Sequence, residues 1–240
     1  MNKDKVYAAP IDQVADFSFD AKVADVFENM INRSVPGYAL MLDLIGVITE
    51  KYVVPGTNCY DLGCSLGAST LKLRQHLPAS CHLVGVDNSA AMVERCRANI
   101  ERDHSQASIE ILEQRLQDTQ IENASIVVIN FTLQFIPDDE RQKVLDSIAR
   151  GMIAGGVLIL AEKIKFDDKV DQASMMELHH EFKKYQGYSD LEVAQKRAAL
   201  EKVLVPNTEQ QHIDRLIRAG FQSAQLTVRC LNFASFLAVR

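Results

Sequence analysis

Apolar residues along this chain switch repeatedly between two periods. Five short runs are apolar or alternate every second residue: Asn58 to Leu62, Leu83 to Asp87, Ser108 to Glu113, Ile126 to Phe131 and Val157 to Glu162. These spacings predict strands, and the fourth run has the continuous apolarity of a central parallel strand. Between them, helical spacing is expected over 66–77, 90–102 (opened by the N-capping Ser89) and 138–152, with Gly155-Gly156 separating the last helix from its strand. Strands alternating with helices through short links imply an α/β fold with a doubly wound, mostly parallel sheet. Ahead of the first strand, Val23, Val26, Phe27 and Met30 give residues 19–32 a helical face, 33–38 breaks it, and a second apolar helix runs over 39–52.

The alternation stops at Lys163. Two polar amphipathic helices are expected over 172–185 and 190–203, joined at Gln186-Gly187-Tyr188-Ser189. A helix over 208–219, ended by Gly220, precedes two β-rich runs, 224–229 and 233–239. These two read as an antiparallel hairpin closing the sheet edge, which makes seven strands. The length of 240 residues and the 47% hydrophobic content fit one domain spanning 1–240. Residues 19–52 then form a helical cover over the ligand pocket, and 163–206 a helical insertion serving as lid or dimer surface.

Composition narrows the class. No apolar run approaches the ~20 residues of a membrane span, and Met1 to Lys5 lacks the apolar core of a secretory signal. Five cysteines (59, 64, 81, 96 and 230) form no CxxC pair, so they read as reduced thiols of a cytoplasmic protein, and no metal site is expected. A net charge of −6 disfavours direct binding to nucleic acid.

The candidate chemistry sits where the first strand ends. Tyr60-Asp61-Leu62-Gly63-Cys64-Ser65-Leu66-Gly67 is a strand, a glycine turn and a helix start, and Asp87 ends the next strand 24 residues after Gly63. Such a carboxylate can accept from both ribose hydroxyls of a nucleoside, with helix capping as its structural alternative. Ser65 replaces the middle glycine that a pyrophosphate requires, which points away from a nicotinamide dehydrogenase. An S-adenosyl sulfonium carries no phosphate and tolerates a serine there. Asn130 ends the fourth strand on the same crevice, but the Pro-Pro-aromatic sequence that follows it in amino-methyltransferases is absent. His179-His180 point about 100° apart on a helix and lack supporting ligands, so they read as lid or interface residues. Tyr38 stands at a helix start and Arg197 on a polar helix, where an aromatic anchor and a solvated charge are the ordinary roles.

Longer strings carry a resemblance over nearly the whole chain. Arg33-Ser34-Val35-Pro36-Gly37-Tyr38, the turn with Gly63-Cys64-Ser65, Asp87-Asn88-Ser89, Glu94-Arg95-Cys96, Asn130-Phe131-Thr132-Leu133-Gln134-Phe135, Gly187-Tyr188-Ser189 and Gln195-Lys196-Arg197 look like the carboxy-S-adenosyl-L-methionine synthases. The resemblance implies a class I methyltransferase-like Rossmann fold that does not methylate. It implies S-adenosylmethionine and prephenate as substrates, and carboxy-S-adenosylmethionine and phenylpyruvate as products. A partner enzyme then uses the carboxylated nucleoside to carboxymethylate the wobble uridine of tRNA. By the same resemblance the ligand contacts are Tyr38, Gly63, Cys64, Ser65, Asp87, Asn88, Asn130 and Arg197, with Arg197 meeting the added carboxylate and no protein general base; a homodimer is implied too. Where that family commonly has Asp-Ile, this chain has Arg115-Leu116, which leaves the adenine contact open. Other classes remain: a small-molecule methyltransferase, or a nucleoside-binding module acting through its inserted helices.

Overall fold

The computed structural model describes residues 2–240. Two helices come first, α1 (Ala21–Ser34) and α2 (Tyr38–Tyr52). The alternating unit follows as β1 (Asn58–Leu62), α3 (Ala68–Gln75), β2 (His82–Asp87), α4 (Ala90–Ile100), β3 (Ser108–Glu113), β4 (Ala124–Asn130), α5 (Asp138–Gly151) and β5 (Met152–Lys165). The remainder is α6 (Lys169–Tyr185), α7 (Asp190–Leu200), a two-residue β6 (Asn207–Thr208), α8 (Glu209–Arg218), β7 (Ser223–Cys230) and β8 (Phe233–Val239). Seven strands run in the order β3-β2-β1-β4-β5-β8-β7, and β6 adds a short pairing to the end of β5. β1 to β5 are mutually parallel, whereas β8 runs antiparallel between β5 and β7. The expected hairpin therefore enters the sheet with its second strand innermost.

The period-2 pattern has a direct physical outcome on β4. Ile126 and Val128 face one layer with Ile45, Ile48, Leu73 and Leu77 of the α2 and α3 side. Val127 and Ile129 face the other, with Val144, Leu145, Ile148 and Leu216 of α5 and α8. A strand covered on both faces is apolar through its middle, Ile126 to Ile129, and the buried Ser125 is tolerated because its hydroxyl pairs with that of Thr57 at 2.6 Å.

One element differs from its expectation. The helix ends at Gly151, and β5 begins at once and runs through Gly155-Gly156. Gly151 lies so close to the segment leading into β4 that a Cβ would sit 2.0 Å from the Ile121 carbonyl oxygen, so this glycine ends the helix. Ala124 pairs with Met152 but Ile126 pairs with Val157, and the extra residues of β5 are absorbed at Gly155, whose φ is +77°. A double glycine in a strand marks an irregularity as readily as a loop.

The N-terminal segment before α1 is not a loose lead-in. Asp4 is buried; its Oδ2 accepts from the Tyr188 hydroxyl at 2.5 Å. Gln195 of α7 donates to the carbonyls of Tyr7 and Ala9, and Phe17 N–H donates to Ala199. These bonds strap the chain start across α7. Both helices of the insertion are well stopped at their starts: Asp168 caps α6, and Ser189 with Glu192 forms a capping box on α7. No helix among the described residues is long and apolar enough to cross a membrane.

Candidate active site

The sheet reverses its winding between β1 and β4, and the crevice outside the C-terminal ends of these strands is where open α/β sheets bind ligands. A cavity of about 840 Å³ lies there. Tyr38, Gly63, Cys64, Ser65, Asp87, Asn88 and Asn130 all line it. Arg197 does not.

The β1–α3 turn explains itself through its hydrogen bonds. Gly63 and Cys64 N–H both donate to the Val86 carbonyl, at 2.7 and 2.9 Å, and Ser65 N–H donates to Asp87 Oδ2 at 2.9 Å. Three consecutive backbone donors are thus used inside the chain and cannot cradle a phosphate. Gly63 has φ +92°, and a Cβ there would lie 2.1 Å from Thr132 Oγ1, so the turn closes against the β4 loop only with glycine. Ser65 is itself left-handed, with φ +49°. Cys64 is buried beside Cys96, whose contact together with burial pushes its thiol far above the usual range. That makes it a packing residue and not a nucleophile.

Asp87 serves the scaffold on both oxygens, because Oδ1 accepts Ser89 N–H at 2.9 Å where α4 begins. Burial raises its pKa, and the bonds from Ser89, Ser65 and Asn88 oppose that rise. A carboxylate has about four lone-pair positions, so two ribose hydroxyls can still be accepted. Asn130 Nδ2 donates to Ser69 Oγ at 3.0 Å, while its buried Oδ1 has no partner within the chain. Tyr38 is buried against Phe131, ring centroids 6.2 Å apart, and burial raises its hydroxyl pKa.

The string after Asn130 is held by a carboxyl the sequence pattern did not single out. Glu162, fully buried on β5, accepts Leu133 N–H at 2.8 Å and Gln134 N–H at 3.0 Å. Burial raises its pKa to about 8 against these bonds and the nearby Arg141. Gln134 then clips the loop to β5, accepting Lys163 N–H at 3.0 Å and donating to the Phe131 carbonyl at 3.1 Å. Phe131 is left in the left-handed region at φ +60°, a strained position for an aromatic residue at the site edge.

Phe17, Phe19, Phe27 and Phe135 also line the cavity, together with Leu116 and Gln117. Leu116 is buried, whereas Arg115 points out to Glu140 at 3.4 Å, so of the pair only Leu116 faces the cavity. Asp118 does not line the cavity. The two histidines part company: His179 faces the cavity, its Nε2 2.8 Å from the Ser34 carbonyl and its ring edge-on to Phe233 at 4.9 Å. His180 lines a separate groove between α6 and α7 with Arg197 and Lys184. Arg197 is exposed in that groove, yet its charge acts on Lys163, which does line the cavity. Among the described residues no group of three His, Cys, Asp or Glu could hold a metal ion.

Three lysines, Lys163, Lys183 and Lys196, complete the lining on the β5, α6 and α7 side. Lys196 meets Ser34 Oγ at 2.9 Å and Asp4 at 3.8 Å. Burial pushes the Lys183 ammonium down to about 7, and Lys196 and Lys163 push it the same way. The spacing of the α6 and α7 sequences offered only amphipathic helices, on which these lysines look like solvent-facing charges.

A protein-family model described as a methyltransferase domain matches residues 60–156. The crystal structure of a putative O-methyltransferase from Nostoc punctiforme superposes with a TM-score of 0.65 at 15% identity, covering 92% of this chain and 59% of that one. The fold is that of the S-adenosylmethionine-dependent methyltransferases, with the crevice where such folds place their ligand. Within that class the full-length relatives are narrower. The carboxy-S-adenosyl-L-methionine synthase of Hahella chejuensis is 55% identical over 245 residues, covering 100% of this chain and 99% of its own. The synthase of Vibrio vulnificus is 45% identical over 240 residues, covering 100% and 98%. The chain belongs to the carboxy-S-adenosyl-L-methionine synthase family.

Proposed function

We propose that this protein converts S-adenosyl-L-methionine and prephenate to carboxy-S-adenosyl-L-methionine and phenylpyruvate. The observation that carries this reading is the match along the full chain to synthases at 45–55% identity. The cavity supports it. Its turn donors are internally consumed, as suits a phosphate-free nucleoside, and about 840 Å³ lies near the upper end of ordinary ligand pockets. Two ligands side by side need that room.

In this reading Asp87 accepts the ribose hydroxyls, Leu116 packs the base, and Gly63, Cys64 and Ser65 form the floor under the sulfonium. Asn130 and Tyr38 close the amino-acid end, and Asn88 the rim. The residues fit the nucleoside: the unpartnered Asn130 Oδ1 is an acceptor awaiting a donor. Prephenate loses CO2 and hydroxide as its ring aromatises. The hydroxide takes a proton from the sulfonium methyl, giving water, and the resulting carbanion attacks CO2 to form the new carboxylate. The chain aligns the partners and excludes water, so no side chain needs to act as base.

Arg197 is proposed to recognise the added carboxylate, whose planar geometry matches a guanidinium. Within one chain it stands outside the cavity, on the α6–α7 surface that also exposes Val170, Leu178, Tyr185 and Leu191. We therefore propose that this surface is the homodimer face, that dimerisation covers Arg197, and that residues 1–240 otherwise act as one S-adenosylmethionine-binding unit. The product would serve a tRNA carboxymethyltransferase in the cytoplasm, with no direct nucleic-acid contact by this chain. The test is incubation of pure protein with both substrates. Carboxylated nucleoside and phenylpyruvate in equal amounts are expected; absence of both ends the reading. A dimer is expected by light scattering at micromolar concentration, and a monomer over that range removes the proposed face.

A further inference from the structure

Lys163 and Lys183 stand out because no described residue answers their charge. Lys163 lies near the end of β5, half-buried, and Lys183 lies on α6 with 6% of its surface exposed. Among the described residues, neither ammonium has an ion pair or a hydrogen bond, in contrast to Lys196, which has Ser34 and Asp4. Glu162 precedes Lys163 but points to the other face of β5, where it holds Leu133 and Gln134. The charges that act on Lys183 are Lys196 and Lys163, and the charge that acts on Lys163 is Arg197, all of the same sign. Buried cations without a counter-charge are costly and are retained where something outside the chain neutralises them.

Their position says which ligand that is. Asp87 ends β2 and Lys163 is near the end of β5, with β1 and β4 between. Three strand steps separate them by about 14 Å at the usual inter-strand spacing. A ribose held at Asp87 is therefore far from the lysines, which face the part of the cavity beyond Asn130. The wall there is aromatic: Tyr38, Phe131 and Phe233 form one buried cluster with Met41 and Ala161. Two cations beside an aromatic wall suit an anion with an unsaturated ring.

We propose that Lys163 and Lys183 form the subsite for the second substrate, neutralising the carboxylates of a cyclic dicarboxylic acid while its ring packs on Phe131 and Phe233. This deepens the synthase reading and rests on it, since that reading supplies prephenate as the dianion. The depressed Lys183 pKa agrees with a cation that regains its full charge when an anion binds.

The test is calorimetric titration of prephenate into protein saturated with S-adenosylhomocysteine, which has no reactive methyl group. Wild type, Lys163→Met, Lys183→Met and Lys183→Arg are compared, with S-adenosylhomocysteine affinity measured separately as the control for fold. Each methionine variant is expected to bind prephenate at least tenfold more weakly, to keep S-adenosylhomocysteine affinity within twofold, and Lys183→Arg to recover most of the loss. Prephenate affinity within twofold of wild type in both methionine variants overturns the subsite. So does a parallel loss of nucleoside affinity, which would assign the lysines to the amino-acid carboxylate of the nucleoside. If Lys183→Met does not fold, Lys163→Met decides alone. A wild type that binds prephenate without turnover defeats the synthase reading and leaves the subsite standing; one that turns over while the variants bind normally does the reverse. Failure of wild type to bind prephenate at all overturns both.

Discussion

The two ends of the cavity are built on opposite principles. At the β1–β2 end the turn is already bonded within the chain: Gly63, Cys64 and Ser65 give their N–H groups to Val86 and Asp87, and Asp87 also holds Ser89. At the β5–α6–α7 end, Lys163 and Lys183 carry charge that no described residue neutralises. The first end is a rigid mould whose shape exists before the ligand arrives. The second is an electrostatic demand that a ligand satisfies. Pre-organised backbone suits a large nucleoside held by shape, and uncompensated cations suit a small, highly charged acid.

The sharpest way to break this contrast is to spoil the mould. Gly63→Ala places a methyl group against Thr132 and forces a left-handed alanine. Strain of about 1–3 kcal/mol adds to overpacking of about 1–3 kcal/mol. We expect a clear drop in unfolding free energy by urea denaturation, together with loss of S-adenosylmethionine binding. A variant within about 0.5 kcal/mol of wild type, the range of neutral surface substitutions, would show that the turn is pliable.

Arg197 tests the link between the ends. Removing a partner from a buried carboxylate costs roughly 2–5 kcal/mol, so if dimerisation seats Arg197 against the added carboxylate as proposed, Arg197→Ala should bind carboxy-S-adenosylmethionine far less well and S-adenosylmethionine nearly normally. Arg197→Lys should recover only part of the loss. Equal losses for both ligands would make Arg197 a general determinant of pocket shape, and no loss would return it to solvent.

Asp87→Ala should weaken nucleoside binding by about 1.5–3 kcal/mol per lost charged hydrogen bond. Because Asp87 also ties Ser65 to Ser89, a modest fall in melting temperature is expected alongside. Unchanged affinity by calorimetry, with the fold intact, would reduce the carboxylate to a scaffold role.

The smallest effect has the opposite sign. Lys183→Met should stabilise the unliganded protein, by at least about 1 kcal/mol at neutral pH, as replacing buried charge by apolar volume often does. The folded-state pKa is depressed to about 7 from 10.5. The cost of the charge is therefore absent above about 10.5, grows as pH falls through that window, and levels off below about 7. The gap between variant and wild type in urea unfolding should be wider at pH 6.5 than at pH 9.5. A gap that narrows as pH falls would mean that Lys183 is neutralised within the chain.

Much of the mould is legible in the sequence. Strands buried on both faces are short and mostly apolar, so β1, β2 and β4 declare themselves despite the buried Asp61 and Ser125, and Gly63, Ser65 and Asp87 follow from one local strand–turn–helix segment. β5 is less legible, since a glycine pair reads alike as a loop or as an irregular strand. The electrostatic end is not legible. Lys163, Lys183 and Lys196 come from three separate elements, and each lies in a polar context where exposure is the ordinary outcome; nor does the sequence near Asp4 announce that it is buried against Tyr188 and Lys196. Periodicity records which face of an element is covered, because that cost is local. It does not record which other element does the covering. The chain by itself determined the layers, the turn and the placing of Asp87 at the mouth of the crevice. Only the packing of α6, α7 and the N-terminal strap onto β5 decided that two lysines would share a cavity without a counter-charge, and that Arg197 would stand outside it.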